Sequence, residues 1–176
     1  MIPLPVLRGL VIEISPDGTR AVVAAVPLTG SGRDLFGIGV AAVEWSVREN
    51  QGVDFKLAFT PDSRQIFDAS ASETRLRAAA SGAIEVTGPS RIGRVSVVSF
   101  TSDGETLGVL YNGTEEIAVL NRQTLSPAFG IGPRQVIGFR LLSGRRAVVF
   151  ASTPGDVRQY EVERYDFASG WEPIVR

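Results

Sequence analysis

A hairpin signature that recurs along the chain constrains this sequence more than any other feature. The stretch "ISPDGTRAVV" (14–23) reads as a strand end, a tight turn and a second strand. "FTPDSRQIF" (59–67) and "FTSDGETLGVL" (100–110) repeat it, and "LLSGRRAVVF" (141–150) is a degenerate fourth copy. With the turns aligned, Asp17, Asp62, Asp103 and Ser143 stand in register, 45, 41 and 40 residues apart. A strand-bearing period of that length is the mark of a propeller blade, which needs stacked neighbours to bury its faces.

The turn chemistry supports the alignment. Asp or Ser followed by Gly (Ser63 in the second copy) suits a position of positive φ or an Asx-type hydrogen bond, and Pro16 and Pro61 preset φ for a turn. Apolar residues flank each turn at strand spacing, as with Val95, Val97 and Val98 before the third turn and Leu107, Val109 and Leu110 after it. "EEIAVLNRQT" and "RQYEVERYDF" read as third strands, and "AIEVTG" and "WEPIV" as fourth strands, with Pro173 tolerable on an outer edge. The expectation is an all-β chain, a β-propeller or partial propeller of four blade-like repeats of about 40–45 residues. A single domain over 1–176 divides into units of roughly 9–52, 53–92, 93–134 and 135–176. The first unit is irregular. There, Val40, Val43 and Val47 fall on one helical face and Glu44 precedes Arg48 by four residues, which predicts a short helix within 40–49.

"SPDGTRAVV", "TPDSRQIF" and "TSDGETLGVLYNGTEEIAVLNRQT" resemble the blades of TolB-like and WD-repeat-like bacterial β-propellers, in which a Ser/Thr-Pro-Asp-Gly turn joins the two inner strands. The resemblance spans nearly the whole chain. It implies a propeller fold and identifies no activity. Four units are compatible with a closed four-bladed ring, with two chains paired into an eight-bladed ring, or with a fragment. The extended segment "IPLPVL" is a candidate for closing the last blade.

Composition narrows the chemistry. The chain has no cysteine and no histidine, which excludes disulfides, thiolate metal sites, thiol nucleophiles and histidine-based triads. A net charge of −1 offers no bulk attraction to nucleic acid or to an acidic membrane surface. No apolar run is long enough for a membrane span, and the N-terminus lacks the pattern of a signal peptide. A cytoplasmic protein fits, as does a mature exported domain. No cofactor and no metal are expected.

Most candidate constellations have an ordinary explanation. The spaced aspartates belong to turns. "GIGVAA" (37–42) matches a loose dinucleotide fingerprint but lacks alternating strands and helices around it. "NGT" (112–114) is formally a glycosylation sequon and reads better as a hairpin turn. "RLRAAAS" (75–81) reads as a half-exposed strand. The arginines are different. Arg91 and Arg94 fall in one loop entering an inner strand, Arg134 falls in the next, and Arg8 precedes the first. Arg33, in the long first-unit loop, and Arg48 are further candidates, with Glu49, Asp34 and Asp54 nearby to neutralise them. Convergent guanidiniums bind carboxylates or phosphates through forked hydrogen bonds. The candidate ligand-binding residues are therefore Arg8, Arg91, Arg94 and Arg134, with no catalytic residue assigned. The functional expectation is a non-catalytic scaffold for a protein or peptide partner, of acidic character. The alternatives are a propeller hydrolase or lyase that uses carboxylates and arginines, or a propeller fragment, natural or engineered, without independent activity.

Overall fold

A computed structural model describes residues 7–28, 32–50, 55–70, 73–88, 95–111, 117–125, 127–131, 136–142, 146–153, 156–166 and 170–172. The side chains of 7–10, 127–131, 153, 156–166 and 170–172 are outside that description. The chain divides into two compact units, Met1–Ile92 and Gly93–Arg176.

Unit 1 holds two four-stranded antiparallel meanders. The first runs through β1 (Leu7–Ile14), β2 (Ala21–Pro27), β3 (Arg33–Ile38) and β4 (Val43–Glu49). The second runs through β5 (Phe55–Phe59), β6 (Gln65–Ser70), β7 (Thr74–Ala78) and β8 (Ile84–Thr87). Their facing sides share one core, in which Val22, Ala24, Leu35 and Trp45 meet Leu57, Phe59, Ile66 and Ala79. Unit 2 repeats the plan. One of its sheets comprises β9 (Val95–Phe100), β10 (Thr106–Tyr111), β11 (Ile117–Asn121) and β12 (Pro127–Ile131). The other comprises β13 (Val136–Leu141), β14 (Arg146–Thr153), β15 (Asp156–Asp166) and β16 (Gly170–Glu172). An apolar cluster of unit 2 is built from Leu110, Ile117, Val119, Val136, Leu141, Ala147, Val149 and Ala151. Each sheet is the four-stranded blade expected from the repeat, with strands in chain order.

The recurring turn is built the same way three times. The amide of Gly18, Ser63 or Gly104 donates to the carbonyl three residues earlier at 2.9 Å. The hydroxyls of Ser15, Thr60 and Thr101 each donate to the aspartate two residues on at 2.6 Å. They also accept from the amides of Arg20, Gln65 and Thr106 at 2.9, 3.0 and 3.2 Å. Each aspartate then accepts from an amide two residues further, so its Oδ1 is committed to its own turn. The fourth turn residue sits at φ 70° in Gly18, 59° in Ser63 and 73° in Gly104. Positive φ costs a non-glycine residue about 1 kcal/mol or more, so Ser63 calls for a reason. Its Oγ accepts the Asp17 amide at 3.2 Å, tying the two turns of unit 1 together. In the fourth copy the Leu142 amide donates to the Arg146 carbonyl at 2.8 Å. Ser143 itself lies outside the described residues, as does the NGT stretch between the paired strands β10 and β11.

The Ser15 hydroxyl, first among several donors, lowers the Asp17 pKa from 3.8 to about 2. A depressed carboxylate stabilises the fold above its ordinary range, and that contribution is lost as pH falls through the folded value. The Asp17 carboxyl carbon followed by NMR is therefore expected to titrate with a midpoint near 2. A midpoint near the ordinary 3.8 would show that the hydroxyl bond is absent in solution.

Two expectations need correction. No helix occurs among the described residues, and 43–49 is strand β4. Trp45 and Glu49 point inward while Glu44, Ser46 and Arg48 are exposed, a period of two. Val40, counted on the helical face, is in the preceding turn and 88% exposed. Glu44 pairs across the sheet with Arg20 at 3.0 Å, leaving the i,i+4 partner unused. The helix required for dinucleotide binding after "GIGVAA" is thus also missing. Gly37 instead serves the Trp45 ring, which lies 2.1 Å from where a Cβ would stand. The second correction concerns 75–81: Arg77 is a buried residue of β7 and not part of a half-exposed strand. No helix of the described residues is long and apolar enough to cross a membrane.

Candidate functional site

At one end of unit 1, β3 begins, β4 ends, β6 ends and β7 begins. The register sets Arg33 opposite Glu49 in the first sheet and Asp68 opposite Arg75 in the second. Inward-facing positions at this end carry charges where the rest of the interface carries apolar side chains. Arg33 donates to Glu49 Oε2 through Nε at 3.3 Å and Nη2 at 2.9 Å, and through Nη2 to Asp68 Oδ1 at 2.5 Å. Arg77 donates through Nε to Asp68 Oδ2 at 2.9 Å, through Nη1 to the Gly82 carbonyl at 3.0 Å, and through Nη2 to Glu49 Oε1. Arg75 donates through Nη1 to Glu49 Oε1 at 2.6 Å and through Nη2 to Glu73 Oε2. The Phe55 ring lies 5.0 Å from the Arg33 guanidinium carbon, a cation–π contact.

Three guanidiniums and three carboxylates therefore form one neutral lattice joining the two sheets of unit 1. Arg33, Arg77 and Asp68 are at most 2% exposed. Burial works against the Glu49 charge, but the Arg33 hydrogen bond and the charges of Arg77, Arg33 and Arg75 outweigh it and hold its pKa below the ordinary value. Burial likewise opposes the Arg75 charge, and the Glu73 hydrogen bond with the Glu49 field outweighs it, raising its pKa. Such a lattice positions two sheets through directional bonds, and its pairing works against a substantial desolvation cost. Among the described residues, two buried donors, Arg33 Nη1 and Arg75 Nε, have no hydrogen-bond partner.

The lattice has little to offer as acid–base machinery. Each oxygen of Glu49 and Asp68 already accepts from a guanidinium, and the depressed Glu49 carboxylate is a weak base.

The residues expected to bind a ligand are only partly placed. Arg8 lies within β1, at the register shift between Leu7 and Gly9, and not before the strand. Its side chain is outside the description, and Arg91, Arg94 and Arg134 lie outside the described residues. Arg33 is no loop residue. It opens β3 and is buried in the lattice, because Glu49 and Asp68 draw it inward. Arg48 stays exposed, 3.9 Å from Asp34. Sequence reasoning singles out Arg33 and Glu49 but misses their joining to Asp68, Arg75 and Arg77. The available signal was an aspartate inside the apolar run "QIFDAS" opposite arginines two apart in "TRLRA".

No family model matches the chain, and no curated protein matches it. A solved β-propeller does: KlHsv2 with loop 6CD replaced by a Gly-Ser linker, at a TM-score of 0.65 and 12% identity. The match covers 96% of this chain and 53% of that one, so the chain spans about half its length. At that identity the likeness speaks for the fold alone. The chain is all-β, a β-propeller or partial propeller built from four blade-like repeats.

Proposed function

We propose that this chain is a non-catalytic interaction module that presents loops on a rigid propeller scaffold to an acidic protein or peptide partner. The observation that carries the reading is the lattice in unit 1. Its carboxylates, the side chains a propeller hydrolase or lyase of this composition would use, are committed to guanidiniums inside the fold. Blade ends held in this way give loops a fixed base, the arrangement by which rigid scaffolds display binding residues. Arg8, Arg91, Arg94 and Arg134 are proposed as the contact set, because local charge pattern, not net charge, governs attraction of an anion. A forked, desolvated contact contributes about 1.5–3 kcal/mol, against about 0–1 kcal/mol for a solvated surface pair.

Binding of an acidic peptide, measured by calorimetry, is expected to weaken at least about tenfold in the Arg91→Ala, Arg94→Ala double variant. It is also expected to fall with added salt, since exposed charges are screened. Unchanged binding in the double variant would remove these arginines from the site. Thermal stabilisation by a divalent metal together with a sugar acid, accompanied by turnover, would overturn the non-catalytic reading.

A further inference from the structure

The lattice is closed everywhere except at one edge. Arg33, Arg77, Glu49 and Asp68 have side chains at most 8% exposed, whereas Arg75 is 14% and Glu73 26% exposed. Arg75 and Glu73 therefore form its mouth, at the start of β7. The Nε–Nη2 edge of a guanidinium is a fork that matches both oxygens of a carboxylate. On Arg75 this fork is half used: Glu73 takes Nη2, and Nε is a buried donor with no partner among the described residues. The Glu73 backbone is anchored, since the Ser70 amide donates to its carbonyl at 2.8 Å and the Ser70 hydroxyl lies 3.3 Å from the same oxygen. The position of the Glu73 backbone therefore does not depend on its side-chain pairing.

We propose that the Nε–Nη2 edge of Arg75 is a receptor for an acidic side chain of the partner, and that Glu73 occupies it as a built-in stand-in in the unliganded chain. This rests on the interaction-module reading above and names a contact point for it. Charge accounting favours exchange over addition. The lattice holds three guanidiniums and three carboxylates, so a ligand carboxylate that replaces Glu73 leaves it neutral. It also satisfies the Nε donor that Glu73 leaves bare. A carboxylate arriving without displacement would add an uncompensated charge beside Glu49 and Asp68, which the buried setting disfavours.

The test is Glu73→Gln in the full chain, which leaves the lattice one positive charge in excess. Tetraglutamate peptide is expected to bind this variant about fivefold more tightly than the parent chain, the competing Glu73 pair being gone. Acetate should raise the melting temperature of the variant and not of the parent, and should shift the Arg75 Nε–H resonance. Adding Arg75→Lys should abolish all three effects, because an ammonium has no fork. Peptide binding to the parent with no gain in Glu73→Gln and no movement of the Arg75 Nε–H resonance would overturn the inference while leaving the module reading in place. An acetate-induced shift at Arg75 Nε in the variant, with no acidic peptide bound by the parent, would support the site and overturn the module reading.

Discussion

Replacing Asp68 with alanine is expected to destabilise unit 1 by about 3–5 kcal/mol, the range for breaking one side of a buried ion pair. The magnitude comes from what is left behind. Asp68 accepts from Arg33 Nη2 and Arg77 Nε, and it is 1% exposed. Without it, two guanidiniums remain in the interface with Glu49 as their shared counter-charge, and water has no access to replace the lost oxygens. A domain of this size has a total stability of only about 5–15 kcal/mol, so the loss is a large share. Urea unfolding followed by circular dichroism should show a lower midpoint for the variant. Asp68→Asn should cost less, since the amide oxygen still accepts one bond. A shift below about 1 kcal/mol for Asp68→Ala would place the lattice in the energetic class of surface pairs.

The acid limb of the stability curve carries the same signature. Glu49 has a depressed pKa in the folded chain. The stabilisation it supplies is fully present above the ordinary glutamate range and disappears as pH falls through the folded value. Asp68→Ala removes a competitor for the same guanidiniums, so the remaining stability should rest more heavily on Glu49 and fall more steeply in acid.

The blade repeat was legible in the sequence because its turns are local. A hydroxyl, an aspartate two residues on and a glycine or serine after it specify a turn without reference to any distant residue. The strands follow from the apolar alternation around it. The strand at 43–49 was not legible, because Val43 and Val47 fit both periods and Val40, three residues before Val43, fits only the helical one. Trp45 and Glu49, with Gly37 opposite the tryptophan, were the signal for period two. The lattice was harder still. Arg75 and Arg77 alternate with Leu76 in the pattern of a solvated strand face. Only the packing of one sheet on another shows that this face is turned toward Glu49 and Arg33 in a different blade. Sequence spacing conveys register within a hairpin, but not which face of one sheet meets which face of the next.

The second large effect is expected at Gly37, where adding one methyl group should cost about 1–3 kcal/mol or more, the range for overpacking a dense core. Gly37 sits opposite Trp45 in the β3–β4 pair, and an added Cβ would lie 2.1 Å from the indole Cε2 and Nε1 atoms. The ring cannot easily retreat. Its Nε1 donates to the Ala79 carbonyl at 2.8 Å, and Gly82, at φ +70°, presses on it from the second sheet, with a Cβ position 2.5 Å from Cε3. Moving the indole would break the one hydrogen bond that satisfies its N–H and would disturb the turn that also presents the Gly82 carbonyl to Arg77. Gly138→Ala is the matched control: it also lies in a strand, but none of the described residues stands within 4 Å of its Cβ position. That change should be neutral or stabilising by up to about 1 kcal/mol, through lower chain entropy in the unfolded state. The decisive comparison is Gly37→Ala combined with Trp45→Phe. The smaller phenyl ring vacates part of the indole's volume and makes room for the methyl group, so the double variant should be more stable than the sum of the two single losses implies. Additive losses would mean that Gly37→Ala acts through the β3 backbone and that the tryptophan is not what makes glycine necessary there.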